Sequence, residues 1–225
     1  MPRELGPLKV AIRVASRRLA ALTRARRPMR FPTYPPHVVE RIEKYHDDVR
    51  YSTLALGIER LKASQIEGAF AEIGVYQGAT SAFIHEQAPE RHFYLFDTFE
   101  GFPNNDDTAV DTRFRDTSRE AVSRFLGHSE NIHFREGYFP STAIGLEDES
   151  FALVMLDVDH YQAAVDVFQF FYPRLVRGGY FFMHDFNSNE SGYAISRAAH
   201  EFMKDKPEML IEISDYFGSA LFRKI

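Results

Sequence analysis

Cysteine is absent from all 225 residues, which excludes disulfides, thiolate metal sites and cysteine nucleophiles together. A reducing, cytoplasmic compartment fits. Tryptophan is absent as well, so the aromatic part of the core must come from 21 Phe and 11 Tyr. No apolar run approaches the roughly 20 residues that cross a bilayer, and no signal-peptide core precedes a small-residue cleavage site. The G-x-S-x-G elbow of the α/β-hydrolases is missing. So is the G-x-G-x-x-G turn that cradles a dinucleotide pyrophosphate, which argues against an NAD oxidoreductase.

What is present suits one soluble domain: 44% hydrophobic and 26% charged residues, in a chain long enough to bury a core without staples. The net charge of −5 hides an asymmetry, because residues 1–30 carry nine Arg or Lys against Glu4. The remainder is therefore strongly acidic, and no nucleic-acid partner is expected of it. Leu8, Ile12, Ala15, Leu19 and Leu22 allow an amphipathic basic helix, ended by the prolines of 31–36. Such a helix suits either peripheral contact with anionic lipid or an arm that packs on a neighbouring subunit of a homo-oligomer or frays in solvent, and the second is favoured. Residues 1–36 thus form a basic helix and Pro-rich linker, and 37–225 the main domain.

Two helical stripes, Val38 to Val49 and Leu54 to Leu61, predict a helical cap over residues 37–68. From residue 69 strands and helices alternate, which implies an α/β Rossmann-like, doubly wound sheet. AFAEIGVY runs into a glycine turn, Ala79 to Gln87 is a helix, and HFYLFD (92–97) and NIHFREGYF (131–139) are further strands. The long loop 98–116 suits a substrate lid. Thr117-x-x-Glu120 predicts a capping box for the next helix. A later helix carries Ala164, Phe168, Phe171 and Leu175 and is expected to stop at Gly178-Gly179. MLIEIS and FGSALFRKI read as a closing antiparallel pair.

The chemistry gathers at strand ends. FALVMLDVD (151–159) is apolar on both faces until Asp157 and Asp159, and GYFFMHDF (179–186) ends on His184 and Asp185. Ligands of open α/β sheets bind outside the carboxyl ends of the strands, so these acids suit a divalent metal beside a base. Asp157 and Asp159 stand two apart, which puts them on one face while the strand stays extended. One of the two can then face the metal while its neighbour faces the substrate as base, and His160 could share the base role. In the turn Glu72-Ile73-Gly74-Val75-Tyr76-Gln77-Gly78-Ala79-Thr80-Ser81, Gly74 permits close approach of a ligand. The helix start near Gly78 offers free N–H groups to a carboxylate. With Asp97 at the end of the next strand, the turn suits a ligand that has a cationic amino-acid part and a ribose diol, as S-adenosylmethionine does. Tyr76 belongs to the same wall, and Tyr138 could contact adenine.

EIGVYQGATS, then YLFDTFEGFP, then LDVDHY followed by FFYPRLVRGGYFFMHDF, resembles the macrocin O-methyltransferase family from about residue 40 to the C-terminus. Members are metal-dependent class I methyltransferases best known for methylating sugar hydroxyls of antibiotics. The resemblance implies a seven-stranded sheet with the last strand antiparallel, and S-adenosylmethionine at the first turn. It places Glu72 and Gly74 at the methionine end, Thr80 or Ser81 on its carboxylate and Asp97 on the ribose. It also implies Mg²⁺ on Asp157 and Asp185, with Asp159 as base. The family more often has Asp at position 184. Here the imidazole of His184 shifts preference toward Mn²⁺, Fe²⁺ or Zn²⁺. The activity expected is O-methylation of a small hydroxylated, sugar-containing acceptor. Rivals are a catechol-like acceptor, and a non-catalytic ligand-binding protein tethered by its basic helix.

Overall fold

A computed structural model describes residue 42 and residues 47–101 and 113–225. The basic N-terminal helix, the linker and most of the expected lid lie outside the described residues. Helix α1 (Asp48–Ala63) is capped by Asp47, whose Oδ1 accepts from the Arg50 backbone N–H at 3.3 Å. Val49 falls in the first turn of this same helix, so it does not belong to a helix separate from that of Leu54, Ile58 and Leu61.

The chain then runs β1 (Ala69–Ile73), α2 (Ala79–Gln87), β2 (Phe93–Asp97), α3 (Arg119–Leu126), β3 (Ile132–Glu136) and β4 (Phe151–Leu156). It continues through α4 (Tyr161–Phe171), β5 (Leu175–Met183), α5 (Ala194–Met203), β6 (Ile211–Glu212) and β7 (Ala220–Arg223). The sheet order is β3-β2-β1-β4-β5-β7-β6. Strands β1 to β5 pair in parallel, and β7 lies antiparallel between β5 and β6. This is the doubly wound sheet of seven strands with an antiparallel last strand.

Both faces of β4 are covered, which is why its sequence shows no polar alternation. Phe151, Val154 and Leu156 pack with Phe168 and Phe171 of α4 and Ile195 and Ala198 of α5. Ala152, Leu153 and Met155 join Leu54, Ile58 and Leu61 of α1 and Phe83 of α2 on the other face.

Three local expectations are corrected. Strand β4 stops at Leu156, because the Asp157 N–H makes the last bond to Ile73 O at 2.8 Å before the chain turns away toward α4. Asp157 and Asp159 therefore do not continue an extended strand. Helix α4 ends at Phe171 in a short 3₁₀ turn, Tyr172–Arg174, and Gly178-Gly179 lie inside β5. A Cβ at Gly179 would stand 3.0 Å from Ala152 O, where the β4–β5 register is irregular, so glycine serves a close strand approach there. The cap of α3 is Ser118, which accepts from Ala121 N, while the Thr117 hydroxyl donates to Tyr76 O.

Candidate active site

The strand order reverses between β1 and β4, and at their carboxyl ends a cavity of about 500 Å³ opens. Gly74 shapes its floor. Its φ is +91°, and a Cβ built there would lie 1.8 Å from Asp157 O. Only glycine lets the turn after β1 close onto the end of β4, with Gly74 N bonded to Phe96 O at 2.9 Å.

Asp97 braces the same turn from β2. Its Oδ2 accepts from Val75 N at 2.6 Å and Tyr76 N at 2.9 Å, and its Oδ1 accepts from Phe99 N at 2.7 Å. Tyr76 sits in the left-handed region at φ +51°, and its hydroxyl donates to Asp116 at 2.8 Å. Glu72, Gly74, Tyr76, Thr80, Asp97 and Tyr138 all line the cavity.

Gly78 and Ser81 do not. Gly78 is the left-handed N-cap of α2, where a Cβ would meet Val122. Ser81 is fully buried and its hydroxyl donates to Glu72. It supports the wall from behind. Burial drives the Glu72 carboxyl well above the usual range, and the Ser81 bond opposes this only in part.

Asp157, His184 and Asp185 converge at the rim, each offering one donor atom within 4.8 Å of the others. His184 Nδ1 lies 2.9 Å from Asp157 Oδ1 and 3.3 Å from Asp185 Oδ2. Two strands dictate this: His184 N donates to Leu156 O at 2.8 Å, so the end of β5 is registered on the end of β4. Asp185 then turns with φ +53°, a conformation that Asp tolerates better than most residues. Burial alone would lower the His184 pKa, but the adjacent carboxylates push it up to about 10. Burial likewise opposes ionisation of Asp157, yet His184 holds its pKa below the ordinary value.

Asp159 stays apart from this triad and meets Arg113, with Nη2 to Oδ2 at 3.5 Å. His160 is the exposed N-cap residue of α4, also on the cavity wall. Sequence reasoning missed Arg50, Tyr51, Arg113 and Phe217, which line the cavity too. Phe217, in the β6–β7 turn, places its ring 5.0 Å from His184. None of the four belongs to a strand-end motif, so no spacing signals them.

Two curated relatives are each 26% identical. The 8-demethyl-8-(2,3-dimethoxy-alpha-L-rhamnosyl)-tetracenomycin-C 4'-O-methyltransferase of Streptomyces olivaceus aligns over 77% of this chain and 72% of its own. The mycinamicin III 3''-O-methyltransferase of Micromonospora griseorubida aligns over 61% and 62%. Among solved structures, the O-methyltransferase NovP superposes with a TM-score of 0.65 at 21% identity, covering 79% of this chain and 80% of its own. The calicheamicin methyltransferase CalS11 gives 0.61 at 18%, covering 98% and 94%. These likenesses establish a shared Rossmann-like methyltransferase fold. A family model described as macrocin-O-methyltransferase (TylF) matches residues 47–219, the stretch that holds the glycine turn, the Asp157–His184–Asp185 triad and Asp159, and the chain belongs to that family.

Proposed function

We propose that this protein transfers a methyl group from S-adenosylmethionine to a hydroxyl of a small, sugar-containing or polyhydroxylated acceptor, aided by a divalent cation on Asp157, His184 and Asp185. The observation that carries the reading is the convergence of those three donors on one point beside the cavity floored by Gly74. The name of the Streptomyces olivaceus relative, which specifies a rhamnosyl-bearing acceptor, supports the acceptor class.

The donor set fits a dication. Neighbouring ligands of an octahedral ion with bonds near 2.1 Å stand about 3 Å apart, close to the 2.9 and 3.3 Å found here. Among the described residues, Asp185 Oδ1 is buried without a hydrogen-bond partner and remains available as a metal ligand. When bound, S-adenosylmethionine supplies an electrophilic methyl, and a dication makes a nearby hydroxyl more acidic and orients it.

The chain's own groups do the rest. Gly74 and Asp97 hold the turn that seats the cofactor, and Asp97 still has lone pairs for a ribose hydroxyl. Asp159 stands to take the proton of the acceptor hydroxyl, whose oxygen would receive the methyl group that bound S-adenosylmethionine supplies. Arg113, with Nη2 3.5 Å from Asp159 Oδ2, holds that carboxylate on the cavity wall.

Titration calorimetry with S-adenosylhomocysteine, and methyl transfer to deoxysugar glycosides against catechols with and without chelator, test the reading. No heat with S-adenosylhomocysteine rejects it, and turnover of catechols alone replaces the acceptor class. A second reading is favoured by one observation: His184 Nδ1 already stands 2.9 Å from Asp157 and 3.3 Å from Asp185, where an imidazolium would bridge both carboxylates. Activity insensitive to chelator would select that metal-free variant.

A further inference from the structure

The cavity is ringed by carboxylates, among them Glu72, Asp97, Asp157, Asp159 and Asp185. Against that background one cluster of hydrogen-bond donors stands out. Arg50 and Tyr51, from the first turn of α1, line the cavity next to Thr80 of α2. Arg50 Nη2 donates to the Tyr51 hydroxyl at 3.1 Å, and that hydroxyl lies 3.3 Å from Thr80 Oγ1. The three side chains form a connected row of donors on the same wall as the glycine turn.

The row is held firmly. The Tyr51 ring is 1% exposed and meets Phe83 edge-on at 4.8 Å. Asp47 caps α1 with one carboxylate oxygen and ion-pairs Arg50 Nε with the other at 3.6 Å, too long for a hydrogen bond. Among the described residues, Arg50 Nε is buried with no hydrogen-bond partner, and the guanidinium makes a single side-chain hydrogen bond, to Tyr51. Asp47 balances the charge, but a mostly buried guanidinium with N–H donors left over is costly unless an acceptor completes them. The fork geometry of Arg matches a carboxylate, which it can bind through two parallel N–H bonds.

Resting on the cofactor reading above, we propose that Arg50, with Tyr51 and Thr80, forms the seat for the carboxylate of the cofactor's amino-acid end. The cap helix then does more than cover the sheet. It supplies a guanidinium fork that the glycine turn and strand ends lack, and cofactor binding ties α1 to α2 and β1. Ser81, turned inward to Glu72, takes no part.

The test compares two probes, S-adenosylhomocysteine and 5'-methylthioadenosine, which lacks the amino-acid carboxylate and ammonium, by calorimetry on the full chain. Arg50→Met should weaken S-adenosylhomocysteine by about tenfold to a hundredfold, as expected for lost hydrogen bonds to a charged group, and leave 5'-methylthioadenosine within about twofold. Arg50→Lys should recover part of the loss, and Tyr51→Phe should cost several-fold on the first probe alone. Equal weakening of both probes by Arg50→Met would reduce Arg50 to a structural role and overturn the assignment. Should Arg50→Met fail to fold, the decarboxylated analogue of S-adenosylhomocysteine decides on the parent chain and on Arg50→Lys. Equal affinity for the acid and its decarboxylated analogue overturns the seat, and a loss that shrinks in Arg50→Lys supports it. If the parent chain binds no S-adenosylhomocysteine, the cofactor reading fails and takes this assignment with it; binding left intact in Arg50→Met overturns this assignment alone.

Discussion

Replacing His184 by Asn removes the imidazole that joins Asp157 to Asp185 and should change how stability depends on pH. In the folded chain the His184 pKa is pushed from 6.5 up to about 10. Below about pH 6.5 both folded and unfolded chains carry the proton, and the stabilisation from the ion pairs is fully present. Between about pH 6.5 and about pH 10 the unfolded chain sheds the proton while the folded chain keeps it, so stability falls as pH rises. At about 1.4 kcal/mol per pKa unit the ceiling is ~5 kcal/mol. Solvent reaches Asp157, whose side chain is 27% exposed, and screening brings the expected figure to about 2–4 kcal/mol.

Urea unfolding in chelator, followed by circular dichroism from about pH 6 to about pH 10, measures this for parent and variant. The parent's advantage over His184→Asn should shrink by that amount across the range. Parallel stability curves would refute the argument, because other groups that titrate there are common to both proteins. The same proton must leave before Nδ1 can bind a metal. Calorimetry of Mn²⁺ binding in buffers of different ionisation enthalpy should therefore report release of about one proton near neutral pH in the parent and none in the variant. Binding without proton release in the parent would remove Nδ1 from the ligand set.

Asp159→Asn should preserve S-adenosylhomocysteine affinity and lower turnover by about a hundredfold or more, measured by methyl transfer; full activity would move the base elsewhere. Gly74→Ala should abolish cofactor binding and destabilise by at least about 2 kcal/mol, since φ is +91° and the new Cβ would overlap Asp157 O. Intact calorimetric binding would show that the turn can open. Asp97→Ala strips the acceptor from three backbone N–H groups and should cost about 1–3 kcal/mol, together with weaker cofactor binding. Phe168→Ala, at a fully buried ring stacked 5.1 Å from Phe181 and 5.2 Å from Phe202, should cost about 3–5 kcal/mol in urea unfolding. A loss below about 1 kcal/mol would mean that the α4 side of the core repacks.

The order of strands and helices was legible because the doubly covered sheet writes its period into the chain: FALVML is apolar on both faces, and β1 and β2 run directly into Gly74 and Asp97. The residues at the carboxyl ends of those strands were legible for the same reason, since a polar group that ends a buried run is costly unless it meets a partner there. Local sequence could not show how far each run stays extended. β4 stopped three residues before Asp159, because after the Asp157 N–H bond to Ile73 O in the neighbouring strand the chain turns away toward α4. Only packing between distant segments separated Asp157, which joined His184 and Asp185, from Asp159, which met Arg113. The docking of α1 brought Arg50 and Tyr51 to the cavity from more than twenty residues before the glycine turn. Sequence determines which segments end at the rim, because burial periodicity is local; tertiary structure decides which side chains meet there, because distances across strands and helices are set by contacts that no local pattern encodes.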